Sequence, residues 1–71
     1  MKEYGRAADT FAKVAATWPN DAKAPDALLA QANALSEGGD AKGARRVRET
    51  LIAQYPAAPA AATAKQQLKK K

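Results

Sequence analysis

The sequence contains neither cysteine nor histidine. Without cysteine the chain can form no disulfide bond and no thiolate metal site. Without histidine it also lacks the commonest metal ligand and the commonest general base. A nucleophile such as Ser36 would have no histidine to activate it. We therefore expect a protein that is not an enzyme, with no catalytic, cofactor-binding or metal-binding residues and no small-molecule substrate.

Aromatic residues and long apolar runs are also scarce. Aromatic side chains make up 6% of the 71 residues. No segment approaches the ~20 apolar residues of a membrane-spanning helix, so we expect no membrane insertion. The first residues form no apolar signal-peptide core, so a signal for export would have to precede Met1. A chain of this length suffices for one small, marginally stable domain, since it buries only about 60% of its unfolded surface.

Acidic residues are scarce in one half of the chain, which makes the charge uneven. Residues 1–37 carry four basic and five acidic residues, a net charge of −1, whereas residues 38–71 carry eight basic and two acidic residues, a net charge of +6. The basic half could bind an acidic protein surface or nucleic acid. Alternatively, Arg45, Arg46 and Arg48 mostly face water, and the C-terminal lysines favour the helix macrodipole.

Alanine is abundant. Together with larger apolar residues it recurs every three or four positions, which forms apolar stripes along helices. These stripes and the Pro and Gly residues between them predict an all-α protein of about four antiparallel helices, at about 3–17, 24–37, 41–54 and 60–70. Alanines allow close helix approach but bury little area each. We therefore expect the few large residues to form the core: Phe11, Trp18, Leu28, Leu35, Val47, Leu51, Ile52 and Tyr55.

One pattern occurs twice, 37 residues apart. A small residue, a large apolar residue and an aromatic-proline pair recur in the same order: Ala7 and Ala44, Val14 and Leu51, Trp18 and Tyr55, Pro19 and Pro56. Helix–turn–helix repeats leave this pattern, and a single such repeat cannot bury its apolar face without neighbours.

The stretch from Leu28 to Pro56, which contains the second copy, resembles the tetratricopeptide (TPR) repeat. In that alignment Ala44 takes the repeat's small-residue position, and Leu28, Ala32, Leu35, Gly39 and Pro56 take its Trp, Gly, Tyr, inter-helix Gly and closing Pro positions. Gln31 and Arg48 depart from the pattern, which has Leu and Phe there. The resemblance implies a right-handed α-α superhelix. Residues 1–71 would form a single domain fragment with the second helix of one repeat, one complete repeat and a terminal capping helix.

The 37-residue offset exceeds the usual 34 residues of a TPR, and the extra residues lie in the loop around Pro19 to Ala24. This longer turn narrows the choice of family. The stretches WPNDAKAPDALL at 18–29, GDAKGAR at 39–45 and YPAAPAA at 55–61 resemble the C-terminal TPR region of the Tol-Pal-associated family called YbgF, or cell division coordinator CpoB. That family implies a periplasmic protein that trimerises through an N-terminal coiled coil absent from this sequence. It also implies binding to TolA and coordination of peptidoglycan synthesis with outer-membrane constriction during cell division. The alternatives are a TPR scaffold of another envelope assembly, such as an outer-membrane assembly lipoprotein, and a basic helical module that binds nucleic acid.

The TPR resemblance also suggests which residues contact partners. It places a partner-binding groove on the second helix, at Asp26, Leu29, Asn33, Ser36 and Glu37. Leu29 lies off the packing stripe of this helix, which suggests an exposed apolar contact. The 37-residue offset adds Thr63, Gln66 and Lys70 on the last helix, although each of these residues could instead belong to a solvated helix face. Because the first helix would lack its repeat partner, we expect self-association through Tyr4, Phe11 and Val14.

Overall fold

Four helices account for most of the computed structural model, which describes residues 3–69. They are α1 (Tyr4–Thr17), α2 (Lys23–Glu37), α3 (Ala41–Gln54) and α4 (Pro59–Lys69). The all-α prediction is confirmed, no strand occurs within residues 3–69, and each helix begins within one residue of its predicted start. The predicted end at Lys70 lies outside the described residues. None of these helices combines the length and apolarity needed to cross a membrane, as far as residues 3–69 are concerned.

Local chemistry fixes the helix ends. The Asp40 carboxylate accepts a hydrogen bond from the Gly43 N–H at 2.9 Å and so caps α3. At the end of α2, Gly39 adopts a φ of +94°, which a residue with a Cβ atom rarely adopts. Its neighbour Gly38 lies against α1, since a Cβ atom at Gly38 would come within 2.8 Å of Tyr4 Cβ. These two glycines therefore serve different purposes, a left-handed turn and a close helix approach.

α2 is the central helix of the fold. It packs against α1, α3 and α4, while α3 also packs against α4. Within residues 3–69, α1 packs against no helix other than α2. The Cα atoms extend over 34 × 29 × 14 Å. The smallest dimension corresponds to two layers of helices, since helices of ~2.3 Å Cα radius packed ~8–10 Å apart span ~13–15 Å.

The core consists almost entirely of alanine, which corrects the prediction that large residues form it. Leu51 is the only large side chain among residues 3–69 that is fully buried. Phe11, Leu28, Leu35, Val47, Ile52 and Tyr55 are only half-buried. Closely approaching alanine stripes leave no room between the helices, so larger side chains lie along the seams. The other buried residues within 3–69 are Pro25 and ten alanines: Ala8, Ala15, Ala24, Ala27, Ala32, Ala34, Ala44, Ala60, Ala61 and Ala64.

The prediction that Trp18 belongs to the core was wrong. Trp18 is 61% exposed. It follows the last residue of α1, at the edge of the seam between α1 and α2. Tyr55, its counterpart in the second copy, packs against buried residues of both core clusters, and its hydroxyl donates to the Pro19 carbonyl at 2.7 Å. The same motif position is therefore packed in one copy and exposed in the other.

Candidate protein-binding face

The predicted groove residues of α2 divide into two groups. Asp26, Ser36 and Glu37 are exposed, whereas Leu29 and Asn33 are half-buried. Asp26, Asn33 and Glu37 follow one another at intervals of seven and four residues, so they share one face of α2. The structure thus presents three hydrogen-bonding side chains in a row, two of them carboxylates.

Leu29 is not the exposed apolar contact that the sequence indicated. Its side chain packs against a buried cluster that includes Leu51, Ala60 and Ala64. It therefore lies in the seam between α2 and the last two helices. A peptide on the groove could reach only the part of Leu29 that remains exposed.

Asn33 takes part in a chain of polar side chains that crosses three helices. Arg48 Nε donates to Gln67 Oε1 at 2.8 Å, and Gln67 Nε2 donates to Asn33 Oδ1 at 3.4 Å. The second contact is long for an N–H···O hydrogen bond and correspondingly weak. This chain links α2, α3 and α4 and was not predicted from the sequence. The available signal was Arg48 itself, which occupies the position held by Phe11 in the first copy.

The hydrogen bond from Gln67 also locates the predicted residues of α4. Thr63 lies one turn before Gln67 and Gln66 lies beside it, and both are exposed. This edge of α4 therefore borders the Asn33 face of α2. Lys70, the third residue predicted on α4, lies outside the described residues. We call the surface formed by Asp26, Asn33, Glu37, Thr63 and Gln66 the α2–α4 face.

The predicted self-association residues lie on α1 but differ in what covers them. Phe11 and Val14 both pack against the cluster of Ala15, Ala24 and Ala27, which joins α1 to α2. Tyr4 is half-buried and lies against Gly38 at the end of α2. Contacts within the chain therefore already use part of this predicted face.

The basic residues of α3 lie mostly at the surface. Lys42, Arg45 and Arg46 are exposed, and Arg45 Nε lies 3.5 Å from Glu49 Oε2. Arg48 differs from the expectation that it faces water, because it is half-buried and hydrogen-bonded to Gln67. The exposed ion pair between Arg45 and Glu49 contributes little to stability, about 0–1 kcal/mol.

A cavity of about 300 Å³ lies where the ends of α1 and α3 approach α2. Ala12, Ala15, Ala16 and Leu28 form apolar walls, and Gln31 and Gln54 add two amides. Both Tyr55 and Pro19 border the cavity, and their hydrogen bond bridges the two helical turns beside it. The cavity lies between α1 and α3, which do not pack against each other within residues 3–69, and the small alanines that α1 presents there leave the space open.

The α2–α4 face and the exposed basic residues of α3 carry side chains that can form hydrogen bonds and ion pairs with another macromolecule. Within residues 3–69, no three acidic side chains come together in a way that could hold a metal ion. The described part of the chain is all-α, with four helices packed largely through alanine. No family model, curated protein or solved structure matches the chain.

Proposed function

We propose that the chain is a non-enzymatic scaffold that binds other proteins through a TPR-like right-handed superhelix. The repeated motif and the four-helix architecture support this proposal, because helix–turn–helix repeats stack into extended binding surfaces. Residues 1–71 then correspond to the second helix of one repeat, one complete repeat and a capping helix. The absence of histidine and cysteine from the sequence favours binding over catalysis.

The observation that carries the proposal is the composition of the α2–α4 face. Asp26 and Glu37 offer exposed carboxylates, and Thr63 and Gln66 offer exposed groups that both donate and accept hydrogen bonds. An extended or helical peptide lying along two adjacent helices could satisfy its polar groups there. The two carboxylates favour a peptide with basic residues.

The resemblance to the YbgF (CpoB) TPR region suggests a particular setting. The chain would lie in the periplasm, bind a TolA-like protein and help coordinate peptidoglycan synthesis with outer-membrane constriction during division. A full-length protein of this family would trimerise through a coiled coil. The alternative within the same class is a scaffold of another envelope assembly, such as an outer-membrane assembly lipoprotein.

A calorimetric titration with the periplasmic part of TolA tests this proposal. We expect binding that Asp26→Ala and Gln66→Ala each weaken by about 2–10-fold, the value of one hydrogen bond at ~0.5–1.5 kcal/mol. Asp9→Ala is the matched control, because Asp9 is an exposed carboxylate on α1. Leu29→Ala is less informative, because Leu29 packs against the core.

Two results would redirect the proposal. Equal weakening by Asp9→Ala would mean that overall charge, and not the α2–α4 face, governs binding. No binding to TolA, with the helical circular dichroism spectrum intact, would reject the TolA partner and favour a different envelope assembly.

Nucleic-acid binding remains a second candidate because Lys42, Arg45 and Arg46 are all exposed on α3. Phosphate contacts alone would give an affinity that falls steeply with salt, without sequence preference. The α3 residues include no exposed aromatic side chain on which a base could stack. A filter-binding assay with single- and double-stranded DNA at several salt concentrations decides this point. A preference for one sequence that survives physiological salt would favour the nucleic-acid function.

A further inference from the structure

The two copies of the repeated motif are not equally covered. Ala44 and Leu51 in α3 have no exposed surface. Their counterparts Ala7 and Val14 in α1 are only half-buried. The difference follows from the packing, because α3 contacts both α2 and α4 whereas α1 contacts α2 alone among the described helices. One side of α1 therefore lacks the cover that the same residue pattern receives in α3.

The uncovered side of α1 is an apolar edge ending in an exposed tryptophan. Ala7, Val14 and Trp18 recur at intervals of seven and four residues and so line up along the helix. We call these three residues the α1 edge. A hollow of about 310 Å³ adjoins it, with walls formed by Val14 and Trp18 and a rim formed by Asp21 and Lys23. Trp18 is the only large apolar side chain that is exposed among residues 3–69. Together with the adjoining hollow, it offers a partner an apolar contact and a recess to fill.

We propose that the α1 edge binds the α1 edge of a second copy of this chain, with the two helices antiparallel about a two-fold axis. In such an interface, each contact occurs twice with the roles of the copies exchanged. If Trp18 of one copy lies over Ala7 of the other, Phe11 of one copy lies opposite Val14 of the other. Trp18, the largest side chain of the α1 edge, thus meets Ala7, the smallest. The two contacts form in the same register because Phe11 follows Ala7, and Trp18 follows Val14, by four residues in each copy.

The charged residues at the two ends of α1 complement each other in this arrangement. Glu3 and Arg6 lie at the start of the helix, where they form an exposed ion pair at 3.1 Å. Asp21 and Lys23 lie beyond Trp18, on the rim of the hollow. The antiparallel arrangement brings the start of one α1 to the hollow of the other. Glu3 then approaches Lys23 of the second copy, and Arg6 approaches Asp21.

As far as residues 3–69 show, the other end of the fold offers no equivalent surface for a head-to-tail contact. The 37-residue offset places Lys65 and Lys69 of α4 where α2 has Leu28 and Ala32. Both lysines are exposed. A polar outer face is typical of a terminal capping helix in a repeat array. Among residues 3–69, the one large apolar residue that is exposed, Trp18, lies at the α1 end, which favours pairing of two α1 edges over open-ended stacking.

The size of the edge sets the expected strength of the dimer. A buried tryptophan removes about 150–250 Å² from solvent, so two partly exposed indoles and their small neighbours remain well below the ~1,200 Å² of a standard interface. We therefore expect a weak dimer that forms with increasing concentration and dissociates on dilution. This inference is independent of the α2–α4 face, because a chain that binds no peptide there could still dimerise through α1.

Sedimentation equilibrium of the chain from ~10 µM to ~1 mM, the range of weak affinities, tests the proposal. We expect the mean mass to rise toward that of a dimer while the Trp18 emission shifts to the blue. Trp18→Lys should give a monomer at every concentration, with unchanged helical circular dichroism because the side chain is exposed.

A charge exchange tests the register. Glu3→Lys and Lys23→Glu should each weaken the dimer several-fold, and the double variant should restore it. Lys65→Glu, the same change on the outer face of α4, is the matched control and should leave the dimer unchanged.

Three outcomes would overturn the proposal. The first is a monomer mass over the whole concentration range. The second is a dimer that Trp18→Lys leaves intact, since another surface would then mediate it. The third is a double charge variant as weak as the single variants, which would exclude the antiparallel register.

A titration with a synthetic peptide of residues 20–39 provides a further check. If that peptide binds α1 and the chain does not dimerise, the edge accepts an α2-like helix and the proposal of a second copy fails.

Discussion

Leu51 is the residue whose truncation should affect stability most. Its side chain has no exposed surface and packs against Ala60, Ala61 and Ala64. Leu51→Ala removes the only large side chain that is fully buried among residues 3–69. The three alanines have no side-chain atoms that could move into the space, whereas the half-buried Leu29 and Ile52 also pack against this cluster and can fill part of it. Leu→Ala substitutions usually cost ~2–5 kcal/mol, and the complete burial of Leu51 places this one at ~3 kcal/mol or above.

That loss is large compared with the total stability of so small a domain. At ~0.05–0.15 kcal/mol per residue, a chain of 71 residues unfolds with about 4–11 kcal/mol. A loss of ~3 kcal/mol lowers the melting temperature of a domain of this size by about 12–24 °C. We therefore expect Leu51→Ala to melt far below the parent chain, or to be partly unfolded at room temperature.

Urea and thermal unfolding followed by circular dichroism measure this effect at a fixed low concentration, which keeps any self-association constant. Leu68→Ala is the matched control, because Leu68 is a half-buried leucine near the end of α4. We expect that control to lose under about 1.5 kcal/mol, since its side chain leaves little cavity. If Leu51→Ala costs no more than Leu68→Ala, the assignment of Leu51 as the main contributor to the core is wrong.

The remaining predictions concern single features, and urea unfolding tests each of them. Tyr55→Phe should cost ~0.5–1.5 kcal/mol by removing the hydrogen bond to the Pro19 carbonyl, and an unchanged stability would show that this bond contributes nothing. Asp40→Ala should cost about 1 kcal/mol through loss of the α3 cap, whereas Asp40→Asn should retain most of it. Gly39→Ala should destabilise by ~1 kcal/mol or more because of its positive φ, and a neutral result would contradict the left-handed turn. Trp18→Ala should cost well under the ~3–5 kcal/mol of a buried tryptophan, and a loss in that range would mean that Trp18 is covered.

The sequence predicted the helices well because their signals are local. The Asp40 cap, the Gly38-Gly39 stop and the prolines after Trp18 and Tyr55 act within a few residues of each helix end. The apolar stripes at three- and four-residue spacings are also local, so the all-α class followed without tertiary information. The TPR-like superhelix remains a proposal because it depends on how the helices cross.

The core and the candidate site were harder to predict because they depend on contacts between helices. A stripe of alanine and large apolar residues indicates which side of a helix packs, but not how closely the partner helix approaches. The close approach moved Phe11 and Tyr55 to the seams and left Trp18 exposed. Likewise, Leu29 appeared free because it lies off the α2 stripe, yet α4 covers it.

The sequence by itself determined where the chain is helical, because capping, proline geometry and side-chain periodicity are properties of short segments. It also determined what the chemistry lacks, since no fold can supply a missing histidine or cysteine. Only the tertiary structure decided which copy of the repeated motif is covered. Leu51 is buried and Val14 is half-buried because α3 contacts two helices, whereas α1 contacts only one in the part of the chain that the structure describes. The burial of a residue depends on how many other helices pack against its own helix. Two similar motifs in one sequence do not show how many helices pack against each of them.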